Sequence, residues 1–96
     1  MFGLRLIRIT GQSMEPRLPA RSFALFRRAR EYKAGDIVLA DHARYGAIVK
    51  QISDIQENGV HLRGLAAAES VSSEQMGLVP LKRLRGKLIW ASVPKV

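Results

Sequence analysis

Two residues in this chain, Ser13 and Lys50, carry side chains and neighbours suited to nucleophilic chemistry. Ser13 lies within Gly11-Gln12-Ser13-Met14-Glu15-Pro16, between a glycine that relieves backbone crowding and a proline that stiffens the exit. A hydroxyl held at a fixed place on a loop is what a serine nucleophile requires. The same six residues also suit an ordinary turn in which Ser13 bonds its own backbone. Lys50 stands in Ala47-Ile48-Val49-Lys50-Gln51-Ile52, where the two-residue period of a strand puts Ile48, Lys50 and Ile52 on one face. The ammonium then points where a core belongs. Burial disfavours the charged form and lowers its pKa from about 10.4, and a neutral amine can take a proton from a hydroxyl. The competing account of Lys50 is snorkelling at a strand edge, stem on the core and head in water. A Ser/Lys pair is a known variant of nucleophilic hydrolysis.

The elements that must position this pair are short and extended. Residues 4–9 read as a mostly buried strand running into the serine loop, and residues 22–26 as a second. Residues 37–40 form an apolar run bounded by turn signals, hence a third strand; residues 41–46 connect it to the fourth, 47–52. After the Asn58-Gly59 turn, residues 60–63 alternate cleanly, with Val60 and Leu62 inward and His61 and Arg63 outward. That disfavours His61 as a base. His42, in the preceding connection, stays open, although no nucleophile-elbow sequence supports a histidine triad. Residues 65–76 break the β pattern, and Ser72-Ser73-Glu74-Gln75 resembles a capping box opening a short helical turn. Residues 83–90 alternate again, with Leu84, Leu88 and Trp90 on one face and Arg83, Arg85 and Lys87 on the other. Lys87 is thus expected in water. Strands this short and numerous do not suit a βαβ layout, so residues 1–96 read as a single, small, mainly β domain.

Composition narrows the chemistry. The chain has no cysteine, and its two histidines lack a metal-site spacing, so no cofactor and no metal are expected. No apolar stretch approaches the ~20 residues of a membrane span, and the charged N-terminus has no signal-peptide core. A soluble, cytoplasmic protein is the expectation. Sixteen Lys and Arg against eight Asp and Glu give a formal charge of +8. One basic cluster comprises Arg17, Arg21, Arg27, Arg28, Arg30 and Lys33; a second comprises Lys82, Arg83, Arg85 and Lys87. Such clusters attract nucleic acid, a membrane surface or an acidic protein, or serve only as a solvated surface.

Gly11 to Pro16, then Gly35-Asp36-Ile37-Val38, then Ile48-Val49-Lys50 resemble, in order, the boxes of the signal-peptidase and LexA-like clan of Ser/Lys peptidases. A fourth box is recognisable between Gly64 and Pro80, where Ser70, Ser73, Gly77, Val79 and Pro80 match its pattern. The resemblance spans most of the chain with compatible spacing. It implies a coiled antiparallel β fold in which Ser13 attacks a peptide carbonyl and Lys50 is the general base. It further implies Met14 as a buried anchor and the Ser13 backbone N–H as an oxyanion-hole donor. Gly11 stands where one branch of signal peptidases places an oxyanion-hole serine, and Ser70 falls where some members orient the lysine with a hydroxyl. Ser70 also reads as a plain loop or cap serine.

The fourth box departs from the clan. Where Gly-Asp-Asn and then Ser-x-Asp-Ser-Arg are usual, this chain has Gly64-Leu65-Ala66 and Ser70-Val71-Ser72-Ser73-Glu74, without the acidic and arginine residues. No transmembrane anchor is visible, which argues against an ordinary signal peptidase. No DNA-binding domain precedes Ser13, which argues against a self-cleaving repressor. The remaining resemblance is to small members similar to nickel-type superoxide dismutase maturation proteases, which trim an N-terminal propeptide. The expected partner is therefore a protein or peptide substrate bound as an extended strand. The alternative is a catalytically silent basic β domain that binds nucleic acid or an acidic partner, or a degenerate clan member acting as an interaction module. The six aromatic residues show no stacking motif to favour nucleic acid.

Overall fold

A computed structural model describes residues 3–11, 14–66 and 76–94. Six strands form one sheet: β1 (Leu4–Arg8), β2 (Phe23–Arg27), β3 (Ile37–His42), β4 (Gly46–Gln56), β5 (Gly59–Arg63) and β6 (Leu84–Ser92). Their order across the sheet is β1-β2-β6-β3-β4-β5, and every neighbouring pair is antiparallel. The mainly β, antiparallel class expected from the strand pattern is the class observed. A short 3-10 segment, Leu81–Arg83, leads into β6. No helix among the described residues is long and apolar enough to cross a membrane.

The continuous apolar run in β3 has a simple cause. Ile37, Val38, Leu39 and Ala40 are all buried, because β3 lies in the middle of the sheet with a cluster on each side. Val38 and Ala40 pack with Ile52, Val60, Leu62, Met76, Val79 and Leu84. Ile37 and Leu39 pack on the other face with Ile9, Met14, Leu18, Ala24 and Phe26. In a flat sheet β1 and β4 would stand four strand spacings apart, about 19 Å. Yet residues of both strands line one cleft, so the sheet must coil until its ends approach. Bulges supply much of that coiling: each pairing of β2 with β6, β3 with β6 and β4 with β5 carries a register shift. At Gly86 β6 passes so close to β2 that an added Cβ would lie 2.9 Å from the Arg27 carbonyl carbon.

Two expectations need correction. Residues 4–9 are not mostly buried: Leu4 and Leu6 are exposed, and within β1 only Ile7 is half-buried, while Ile9 beyond its end is buried. Their strand is a sheet edge, and Leu4, Leu6 and Arg8 lie opposite Arg27, Leu25 and Phe23 on its outer face. Nor do Leu84, Leu88 and Trp90 share a face: Leu84 packs with Val38 and Ala40, and Leu88 on the opposite cluster, across a bulge at Arg85. Phe26 pairs with Leu88 and Leu25 with Trp90, leaving Ile89 as the extra residue of a bulge. That single residue reverses the parity. Leu88 packs against the core with Phe26, while Trp90 is 54 % exposed. β4 is also longer than expected, running on to Gln56. The capping box proposed for residues 72–75 lies outside the described residues. Beyond it Val79 forms an isolated antiparallel bridge with Val60, in keeping with extended structure there.

Candidate active site

The chain leaves β1 at Arg8 and turns through Ile9, Thr10 and Gly11. Ile9 clamps this turn: its N–H donates to the Ser22 carbonyl and its carbonyl accepts from the Arg21 N–H, both at 2.8 Å. Gly11 has φ +77°, in the left-handed region, and a Cβ there would meet nothing within 4 Å. Backbone conformation, not space, therefore calls for glycine. Gln12 and Ser13 lie outside the described residues, as does Ser70. The next described residue, Met14, is 1 % exposed and packs with Ile9, Leu18 and Leu39. Its carbonyl accepts the Leu18 N–H at 2.8 Å, closing a turn that points the side chain into the core.

Lys50 lies on β4 opposite Val38 of β3, both side chains being buried. It is 6 % exposed, and burial pushes its pKa below the ordinary lysine range. Lys50 also lines an open cleft, so its desolvation is partial. No ion pair among the described residues involves Lys50. Lys87 differs in kind. It is half-exposed on β6, opposite Arg27 of β2 on one side and Val38 of β3 on the other.

The cleft holds about 230 Å³. Residues 7–10 and Met14 form one side, and Leu39 with residues 47–50 form the other. Thr10 and Met14, which flank Ser13 in sequence, both line it. Val49 and Lys50 face opposite ways along β4, yet both reach the cleft because it follows the strand's open edge. β5 pairs with β4 only from Gln51 onward, leaving residues 46–50 without a partner on that side among the described residues. Among the described residues β1 likewise pairs with β2 alone. Two open strand edges thus border one apolar cleft that contains a buried amine. Such edges can accept an extended peptide through backbone hydrogen bonds.

The histidines stand elsewhere. His42, expected in a loop, is the last residue of β3. Its Nδ1 accepts the backbone N–H groups of Arg44 and Tyr45, so Nε2–H donates to the Met76 carbonyl at 2.9 Å. Both ring nitrogens are committed to holding the β3–β4 turn against residue 76. His61 is on the solvent side of β5, its Nδ1 2.7 Å from Asp54 Oδ1. Of the arginines grouped by sequence, Arg28, Arg30 and Arg85 line a separate groove with Lys82, and Arg27 is not among its walls. The cleft residues Arg8, Thr10, Ala47 and Val49 carry no local signal in the sequence. They meet there only because the sheet coils.

Comparison with known proteins agrees with this arrangement. The Peptidase S24-like family matches residues 3–70, well over half of the chain and including the serine loop, the Gly35-Asp36 turn and Lys50. No curated protein and no solved structure gives a match. The family match, the ordered boxes and the coiled antiparallel sheet concur with the signal-peptidase and LexA-like clan of serine peptidases. The chain belongs to the Peptidase S24-like family.

Proposed function

We propose that this protein is a serine endopeptidase in which Ser13 is the nucleophile and Lys50 its general base. The observation that carries this reading is Lys50 itself: a buried amine with a lowered pKa, lining a cleft whose other wall comes from both flanks of Ser13. In the neutral state the amine takes the proton of the Ser13 hydroxyl as the oxygen attacks the substrate carbonyl carbon. The resulting ammonium returns a proton to the departing amine, which releases the first product and leaves an acyl-serine. Water, deprotonated by the same lysine, then frees the acyl group and restores the enzyme. The Ser13 backbone N–H and the Gly11 turn serve the developing oxyanion, Met14 anchors the loop, and the Ser70 hydroxyl orients the lysine.

The substrate lies extended between the open edges of β1 and β4, so alternate side chains enter the cleft and specificity rests on shallow pockets. A flexible segment such as an N-terminal propeptide meets this need, and a folded helix does not. The small members that the chain resembles suggest the propeptide of a nickel superoxide dismutase precursor. The test is incubation of purified protein with that precursor, and separately with an unfolded general substrate, followed by intact-mass spectrometry. Cleavage lost in both Ser13→Ala and Lys50→Ala supports the dyad. Cleavage that survives Lys50→Ala rules it out. Activity on the general substrate alone retains the peptidase and removes the precursor.

A further inference from the structure

At the far end of β4 the surface has another character. From Lys50 to Ile55 is five residues along the strand, on the order of 15 Å. There a groove of about 570 Å³ opens between residues 28–32, Ile55 and the start of β6, and it shares no wall residue with the Lys50 cleft. Four cations line it, Arg28, Arg30, Lys82 and Arg85, against one carboxylate, Glu31. They come from two segments some fifty residues apart in sequence, brought together by the sheet.

The groove is built, not a chance crowding of long side chains. Arg85 occupies the bulge of β6 opposite β3, where Leu39 pairs with Gly86 and Ala40 with Leu84. From there its guanidinium donates to Asp41 Oδ2 at 3.3 Å and to the Lys82 carbonyl at 3.0 Å, fixing the 3-10 segment. The Tyr32 hydroxyl accepts the Ala29 N–H at 3.4 Å and holds the opposite wall. Arg28, Arg30 and Lys82 are exposed and form no ion pair among the described residues. Between these cations the floor is apolar. Leu84 lies buried beneath it, while Ile55 and Leu81 are 40 % and 44 % exposed.

We infer that this groove is a docking site for an acidic peptide segment that also carries apolar side chains. Cations around an apolar floor match carboxylates and leucine-like residues on one strand of peptide, and arginine forks pair well with carboxylates. Nucleic acid fits less well. Its phosphates call for a track of cations, its bases call for open aromatic faces, and here the only ring, Tyr32, is half-buried and engaged through its hydroxyl. Glu31 on the rim would repel a phosphate chain as well.

Fluorescence anisotropy tests this on the full chain carrying Ser13→Ala, so that no probe is cut. The probes are a labelled peptide alternating glutamate and leucine, a polyglutamate peptide of equal charge, and an oligothymidine of equal charge. The glutamate–leucine peptide should bind tightest, and its affinity should fall with salt. Arg28→Glu with Arg30→Glu should weaken it by about tenfold or more, both residues being exposed and outside the core. Ile55→Ser with Leu81→Ser should lower its affinity to that of polyglutamate. Circular dichroism of each variant confirms that the fold is intact. Oligothymidine binding as tightly as the peptide would overturn the inference in favour of a nucleic-acid surface. So would equal affinity for the two peptides, or binding indifferent to the arginine reversals. The binding result stands whether or not the chain cuts peptides.

Discussion

The two ends of β4 use the same kind of residue for opposite purposes. At Lys50 one cation is enclosed by Val38, Ile52 and the cleft wall, and burial lowers its pKa. Around Ile55 four cations ring an open groove, and three of them are exposed. Desolvation favours the neutral amine of the first, at a cost to stability. The guanidinium groups of the second cannot serve as bases, being cationic by their own chemistry, and they are placed to attract anions. What a basic side chain does is set by its own chemistry and, for a lysine, by how much water its fold leaves it.

The contrast breaks most visibly at Lys50. Replacing it by alanine should lower cleavage by ~10²–10⁴-fold, the usual worth of a general base, and Ser13→Ala should reduce it to background. Lys87→Ala should leave it unchanged, since Lys87 sits beside Arg27 and away from the cleft. The pH profile sharpens the same point. Only the neutral amine accepts the serine proton, so the rate should rise tenfold per pH unit and level off once pH passes the lowered pKa of Lys50. A midpoint at the ordinary value of about 10.4 would show a solvated lysine instead.

Smaller effects follow. Ala47→Trp fills the cleft from an exposed position and should raise KM by about tenfold with little loss of stability, measurable by steady-state kinetics and thermal melting. Lys50→Met should stabilise the protein by about 1 kcal/mol, a Tm increase of ~4–8 °C. The sign follows from linkage. The folded state holds this proton less tightly than the unfolded chain, so the cost is fully present below the lowered pKa. It disappears as pH rises to the unfolded value, and the gain from methionine should shrink over that window. By contrast Arg28→Gln or Lys82→Gln, in the open groove, should shift stability by less than ~0.5 kcal/mol.

Some of this was legible in the chain and some was not. The strand pattern, the lysine between two isoleucines and the inward Val60 and Leu62 depend on a two-residue period, which is a local property. The need for glycine at position 11 is local too, because the backbone itself enters the left-handed region there. The exposure of Trp90 was not legible, because the bulge at Ile89 exists only in register with β2. Neither was the exposure of Leu4 and Leu6, since hydrophobicity does not say which strand will end a sheet. The sequence alone determined which residue types alternate and where a cation faces the core, because those follow from geometry within a strand. Only the tertiary structure decided that the end of β1 meets β4 in a cleft, and that arginines fifty residues apart share a groove. Both depend on how far a sheet coils, which is set by bulges and by pairing between distant strands.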